Sequence, residues 1–140
     1  MPVSLTRTVD FHAWHRFHRP DWTPERNREV FGDLNAAGGH DHQYRCSVTV
    51  SGAVDPEWGG VVNLAVLDRI LDEEVVKPLE GRHIDRDVPH FAPGRALPTC
   101  EALASWLYER IAPRLPRGVR LDRVRVAEDD SLHADCTGPT

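Results

Sequence analysis

Leu5-Thr6-Arg7-Thr8-Val9-Asp10-Phe11-His12-Ala13-Trp14-His15-Arg16-Phe17 is the stretch whose reading decides the fold. Leu5, Val9, Phe11, Ala13 and His15 fall on one face, with Thr6, Thr8, Asp10 and His12 on the other. A period of two, in a run rich in Thr, Val and Phe, predicts a strand with one face toward a core.

Residues 19–39 are polar, carry Pro20, Pro24 and Gly38-Gly39, and predict a long excursion holding one short helical turn. A connection of that length inside one domain often carries function. A second strand follows over His40–Gly52, with His42, Tyr44, Cys46, Val48 and Val50 on one face. Asp55-Pro56 and Gly59-Gly60 then mark a turn. Asn63 is placed to cap a helix whose stripe is Leu64, Leu67, Ile70, Leu71 and Val75, ended by Pro78.

Residues 80–98 predict a loop punctuated by Pro89, Pro93 and Pro98. Thr99 caps a second helix that buries Leu103, Trp106, Leu107 and Ile111, with Glu101 suiting its positive end. Alternation returns in Val124, Val126 and Glu128, then in Leu132, Ala134 and Cys136, with Asp129-Asp130 as the hairpin turn. The order strand, strand, helix, helix, strand, strand predicts an α+β class: a four-stranded antiparallel sheet with two helices on one face. Residues 1–140 form a single domain on this reading. Two open sheet edges predict oligomerisation by edge pairing.

The net charge of −5, with cations scattered among acids, gives no basic footprint for nucleic acid or anionic membranes. No apolar run approaches the roughly 20 residues needed to span a bilayer. Met1-Pro2-Val3-Ser4 lacks the basic-then-apolar order of a secretion signal, so a cytoplasmic location is expected. Cys46, Cys100 and Cys136 are an odd, widely spaced set that fits reduced thiols.

Eight histidines in 140 residues are the most informative feature of the composition. His40-Asp41-His42 puts two imidazoles on one side of a strand, because residues i and i+2 share a face. If the first two strands pair antiparallel, His15 at the end of the first lies beside the start of the second and reaches the same point. Three imidazoles with one open position is the arrangement of a catalytic zinc site. Spacing alone leaves the other reading open, in which the pair is surface or hydrogen-bonded histidine. His12 and His18 are close enough to compete as third ligand, though alternation puts His12 on the opposite face from His15.

Phe11-His12-Ala13-Trp14-His15-Arg16, Phe31-Gly32 with Asn35, and Gly39-His40-Asp41-His42-Gln43-Tyr44 are similar to the 6-pyruvoyl- and 6-carboxy-tetrahydropterin synthases. Asn63-Leu64-Ala65, Lys77-Pro78-Leu79, Asp87-Val88-Pro89, Pro98-Thr99 with Glu101, and Val124-x-Val126-x-Glu128 extend the resemblance over nearly the whole chain. It implies the tunnelling fold, whose sheets join into a barrel as a homotrimer or homohexamer with sites between subunits. It also implies Zn2+ on His15, His40 and His42, a pterin anchored by Glu128, and a pocket lined by Thr99 and Glu101. The implied activity is that of a zinc-dependent carbon–oxygen lyase or cyclase on 7,8-dihydroneopterin triphosphate or a related pterin.

The chain departs from the family pattern at its chemistry. Leu34 stands where the family's Phe-Gly-x-Cys-Asn carries its cysteine base, and Glu80-Gly81 stands for its Asp-His pair. The acid of the family's Asn-Leu-x-Asp opening is Val66 here. His83, two residues beyond the lost histidine, is the first candidate for a replacement base, followed by Glu80 and Asp33; a plain loop histidine is the other reading of His83. Cys100, at a helix N-terminus, could have a lowered thiol pKa, but packing is its expected fate, as it is for Cys46 and Cys136. The competing readings are an enzyme using the zinc site on a non-pterin substrate, a non-catalytic pterin-binding protein, and a structural oligomer.

Overall fold

The computed structural model describes residues 1–139. The opening alternation builds strand β1 (Pro2–His15), which begins at Pro2 rather than Leu5 and ends at His15 rather than Phe17. The chain leaves the sheet there because Asp85 Oδ1 accepts from the Arg16 N–H at 3.0 Å and the Leu34 carbonyl accepts from Phe17 N–H at 3.1 Å. Strand β2 (His40–Ala53) pairs with β1 antiparallel, from Pro2 opposite Ala53 to His15 opposite His40. Gly39, at φ +71°, makes that last pairing possible. A Cβ there would lie 2.7 Å from the His15 carbonyl oxygen, so a side chain would push β2 away from His15.

The excursion between these strands holds more helix than its composition predicts. Helix α1 (Pro24–Phe31) starts on a Thr23 cap, whose Oγ1 accepts from Arg26 N–H at 3.1 Å, and a 3₁₀ turn (Gly32–Asn35) follows. Periodicity misses α1 because Asn27 is its one buried residue. Asn27 clamps the start of the excursion: Oδ1 accepts from Arg19 N–H at 2.8 Å and Nδ2 donates to the Arg19 carbonyl at 3.0 Å.

Helix α2 (Leu64–Leu71) is capped by Asn63 and buries Leu67, Ile70 and Leu71. It runs on through a π-helical turn (Asp72–Val76) into a last turn (Lys77–Leu79), so Pro78 lies inside the helical run rather than ending it. The wider turn accommodates a ring that would clash with a carbonyl four residues back in a regular helix. The segment after it is not featureless, for it contains two short helical turns, Ile84–Asp87 and Pro89–Phe91.

Helix α3 (Cys100–Ile111) starts on Thr99, whose Oγ1 accepts from Ala102 N–H at 3.1 Å, and buries Leu103, Leu107 and Ile111. Trp106 is only partly buried and lies under the Arg110 guanidinium. Strands β3 (Arg120–Asp129) and β4 (Leu132–Cys136) complete a sheet of order β1-β2-β3-β4, antiparallel throughout. Their turn is Asp130-Ser131, one residue later than the alternation suggests, because Asp129 pairs with Leu132 and accepts from Ser131 N–H at 2.7 Å.

One sheet face meets the helices in a core that includes Phe11, Tyr44, Val48, Leu67, Leu71, Leu103 and Leu107. The other face is polar, with Thr6 bonded to Thr49, Arg45 to Asp10 and Arg125 to Asp135. The β1 edge is closed at one end by residues 80–82. Gly81 N–H donates to the His12 carbonyl at 2.7 Å, Trp14 N–H to the Arg82 carbonyl at 2.9 Å, and His12 N–H to Glu80 Oε2 at 2.6 Å. Further down this edge, and along the outer edge of β4, no strand of the described residues pairs. No helix among them is long and apolar enough to cross a membrane.

Candidate metal centre

The hairpin register places His15 directly opposite His40, and the strand period adds His42 on the same side. The three side chains offer nitrogens that all lie within 4.8 Å of one another. His15 Nε2 and His40 Nε2 are 2.8 Å apart. His15 forms the floor of the site and is fully buried. Its Nδ1 stands 2.8 Å from the Pro98 carbonyl oxygen and 3.0 Å from the Tyr44 hydroxyl. A carbonyl can only accept, so Nδ1 carries the proton and Nε2 presents a lone pair to His40 and His42. That is the orientation a histidine ligand needs, with its second nitrogen held by a partner behind it.

Burial pushes the His15 imidazole down to about 4, and the Pro98 carbonyl only partly opposes this; His40 and His42 push it further. His40 and His42 are lowered as well, each chiefly by burial. All three are therefore neutral at pH 7, the state in which imidazole binds a metal. His42 Nε2 is buried and has no hydrogen-bond partner, although Glu128 Oε2 is 3.2 Å away. An orphaned buried nitrogen costs stability unless something at the centre uses its lone pair. Three imidazoles, one of them orphaned, fit a zinc ion.

Residues 4–139 match the family described as 6-pyruvoyl tetrahydropterin synthase. The chain belongs to that family. It is 37% identical over 129 residues to 6-pyruvoyl tetrahydrobiopterin synthase of Homo sapiens, covering 92% of this chain and 87% of that protein. The structure of the Caenorhabditis elegans 6-pyruvoyl tetrahydropterin synthase superposes with a TM-score of 0.91 at 28% identity, over 99% of this chain and 97% of that one. A more distant relative is the dihydroneopterin monophosphate aldolase of Pyrococcus furiosus, 32% identical over 93 residues, which are 66% of this chain and 73% of that protein. Against the family's pattern, the structure gathers some of the expected site residues and separates others.

Glu128 is gathered in, its Oε2 lying 3.9 Å from His15 Nε2 as well as 3.2 Å from His42 Nε2. Burial raises its carboxyl pKa, and the neighbouring Asp129 adds to the rise. Thr99 follows directly on Pro98, with its hydroxyl committed to the helix cap. Glu101 is exposed in the first turn of α3, near enough to Glu128 to raise its pKa. Leu34, which the resemblance sets against the family's cysteine, lies in the 3₁₀ turn and is 42% exposed. Its carbonyl holds Phe17, whose ring meets His15 edge-on at 4.7 Å. Leu34 thus belongs to the rim and offers no proton.

His83 and Glu80 lie elsewhere. His83 stacks on Trp14, with ring centroids 5.3 Å apart, and its N–H donates to Asp87. Trp14 alternates with His15 along β1 and faces the other way, so His83 stands on the opposite side of the strand from the imidazole cluster. Glu80 spends its carboxylate on the His12 N–H. Asp33 is exposed in the rim turn beside Leu34. Cys100 is packed in the core, as expected, and burial, with Glu128 and Glu101 adding to it, pushes its thiol up to about 12, so the helix N-terminus does not lower it. The sequence reading missed Pro98 and Tyr44 as supports of His15. Tyr44 was within reach, since it follows His42 by two residues on the same face.

Proposed function

We propose that the chain is a zinc-dependent carbon–oxygen lyase acting on 7,8-dihydroneopterin triphosphate or a closely related pterin. The convergence of His15, His40 and His42, with His15 oriented from behind by Pro98, carries this reading. Zinc bound there would act as a Lewis acid on the side-chain hydroxyls of the substrate and acidify the positions next to them. Glu128 accepts the paired N–H groups of the pterin edge, which fixes the ring against the floor of the site. Thr99 and Glu101 line the approach. Phe17 and Leu34 cover the rim and limit access of water.

The base that takes the carbon-bound proton as triphosphate leaves is the open element. His83 and Glu80 are our candidates. Since His83 faces away from its own chain's imidazoles and Glu80 is held at the His12 N–H, they would act on the site of an adjoining copy. The unpaired edges of β1 and β4 favour such an assembly, a homotrimer or homohexamer closed edge to edge. The absence of a proton-transferring group at Leu34 and Gly81 favours a second reading, in which the same zinc site serves a non-pterin substrate, or binds a pterin without turnover.

The test is to incubate zinc-loaded protein with 7,8-dihydroneopterin triphosphate and follow triphosphate release, with His15→Ala as control. Release that is lost in the variant supports a pterin lyase. No release from fully zinc-loaded protein rejects it in favour of the second reading.

A further inference from the structure

We propose that Glu128 is a fourth, releasable ligand of the metal held by His15, His40 and His42, bound through Oε2 in the resting site and surrendered to the arriving substrate. The inference rests on the zinc reading above and extends it. Donor atoms that share one tetrahedral zinc, each about 2.0–2.1 Å from the ion, stand roughly 3.3–3.4 Å from one another. Glu128 Oε2 is 3.2 Å from His42 Nε2 and 3.9 Å from His15 Nε2, which straddles that spacing.

The surroundings of the carboxylate point the same way. Its side chain is 16% exposed. Among the described residues no N–H or O–H donates to it, and no Arg or Lys pairs with it. Its Oε2 faces the Nε2 atoms of two imidazoles, His15 and His42. The His15 nitrogen presents a lone pair, and the His42 nitrogen has no hydrogen-bond partner. A half-buried carboxylate facing such nitrogens, with Asp129 next to it in the chain, is electrostatically unfavourable without positive charge at their common focus. A cation at that focus resolves the arrangement.

The backbone also sets Glu128 apart. The pairing of β3 with β4 shifts register between Ala127 and Asp129, so Glu128 is the residue left over. Its pairing with β2 ends at Ala127. A bulge of this kind re-aims one side chain while releasing it from the ladder. Glu128 is therefore directed at the imidazoles from a position outside the ladder on both sides. A permanent fourth ligand would close the site in the manner of structural zinc. Surrender of Glu128 to the N–H groups of a pterin would open the coordination position at the moment substrate arrives, which couples recognition to activation.

The test uses the full chain. Zinc affinity is measured by competition with a chromophoric chelator for wild type, Glu128→Gln, Glu128→Asp and His15→Ala, with thermal unfolding of the metal-free forms as a check on folding. Glu128→Asp keeps the charge but shortens the arm, which separates ligation from a field effect. We expect both Glu128 variants to lose affinity by on the order of tenfold or more. Unchanged affinity in both, or loss in Glu128→Gln alone, overturns ligation. Unchanged affinity in His15→Ala instead rejects the metal centre itself. For release, cobalt replaces zinc and neopterin is added, with its binding followed by its own fluorescence. Bound neopterin should shift the visible cobalt bands of wild type toward those of Glu128→Gln. Bound neopterin with unmoved bands overturns release, and absence of neopterin binding counts against the pterin reading while leaving the ligation result intact.

Discussion

The Nδ1 atom of His15 lies 2.8 Å from the carbonyl oxygen of Pro98, joining the end of β1 to the residue that leads into α3. That bond ties the floor of the imidazole cluster to the segment carrying Thr99 and Glu101. It fixes which nitrogen of His15 is free, so the site is preorganised by the chain itself. The Tyr44 hydroxyl, 3.0 Å from the same nitrogen, is the second support.

Tyr44→Phe removes that hydroxyl while keeping the ring that stacks on Phe11 at 4.8 Å. Pro98 still orients His15, so zinc affinity should fall by no more than roughly tenfold, the lower end of effects seen for such supports. Chelator competition checks this. A loss as large as that of His15→Ala would mean that Tyr44, and not Pro98, holds the imidazole.

The metal-free protein should lose stability as pH falls below 6.5. In that range the unfolded chain protonates the His15 imidazole, whereas the folded chain keeps it neutral down to about 4. The unfolded state then binds more protons, so the loss accumulates between pH 6.5 and about 4 and is absent above. A shift of that size corresponds to roughly 3 kcal/mol. Urea unfolding of wild type and His15→Gln across this range measures it, and the variant should show the shallower dependence.

Asn27→Ala should release the excursion that carries the rim. The substitution strips the partners from Arg19 N–H and its carbonyl. Leaving such groups unsatisfied costs about 1–3 kcal/mol. Limited proteolysis should then cut between residues 19 and 39 first, with the sheet intact. Cleavage as slow as in wild type would show that Leu34 and its neighbours are held by other contacts.

The two strands are legible from alternation, because one face of β1 and β2 is buried and the other is polar, whereas their antiparallel register is fixed only by the fold. The same alternation puts His40 and His42 on one side of a strand and, given antiparallel pairing, His15 beside them; that Gly39 permits the pairing is visible only in the fold. Helix α1 is legible only as a short turn because it buries Asn27 and no apolar stripe, although Thr23-Pro24-Glu25 is a start signal. The Pro98 carbonyl could not be read at all, since a backbone acceptor has no signature in sequence and its approach depends on tertiary packing. Glu80 was legible as a carboxylate but not as the cap of a strand edge. The positions of His83 and Glu80 follow from the return of residues 80–83 against β1, which no local pattern announces.

Restoring the family's cysteine tests whether chemistry or scaffold limits turnover. Leu34→Cys alters an exposed rim position, where substitutions usually stay within about 0.5 kcal/mol. If the pterin reading holds, triphosphate release should rise above wild type. Gly81→His is a harder addition: a side chain there has open space but must adopt φ +71°, a strain of about 1–2 kcal/mol. No gain from Leu34→Cys in zinc-loaded protein would favour a non-pterin substrate.

The most direct measurement of the central claim is zinc content per chain after stripping with chelator and reloading, for wild type and for His15→Ala, His40→Ala and His42→Ala. One zinc in wild type, with sharp loss in each variant, is the predicted result. Full zinc in any single variant, or none in wild type, would contradict a centre built from these three imidazoles.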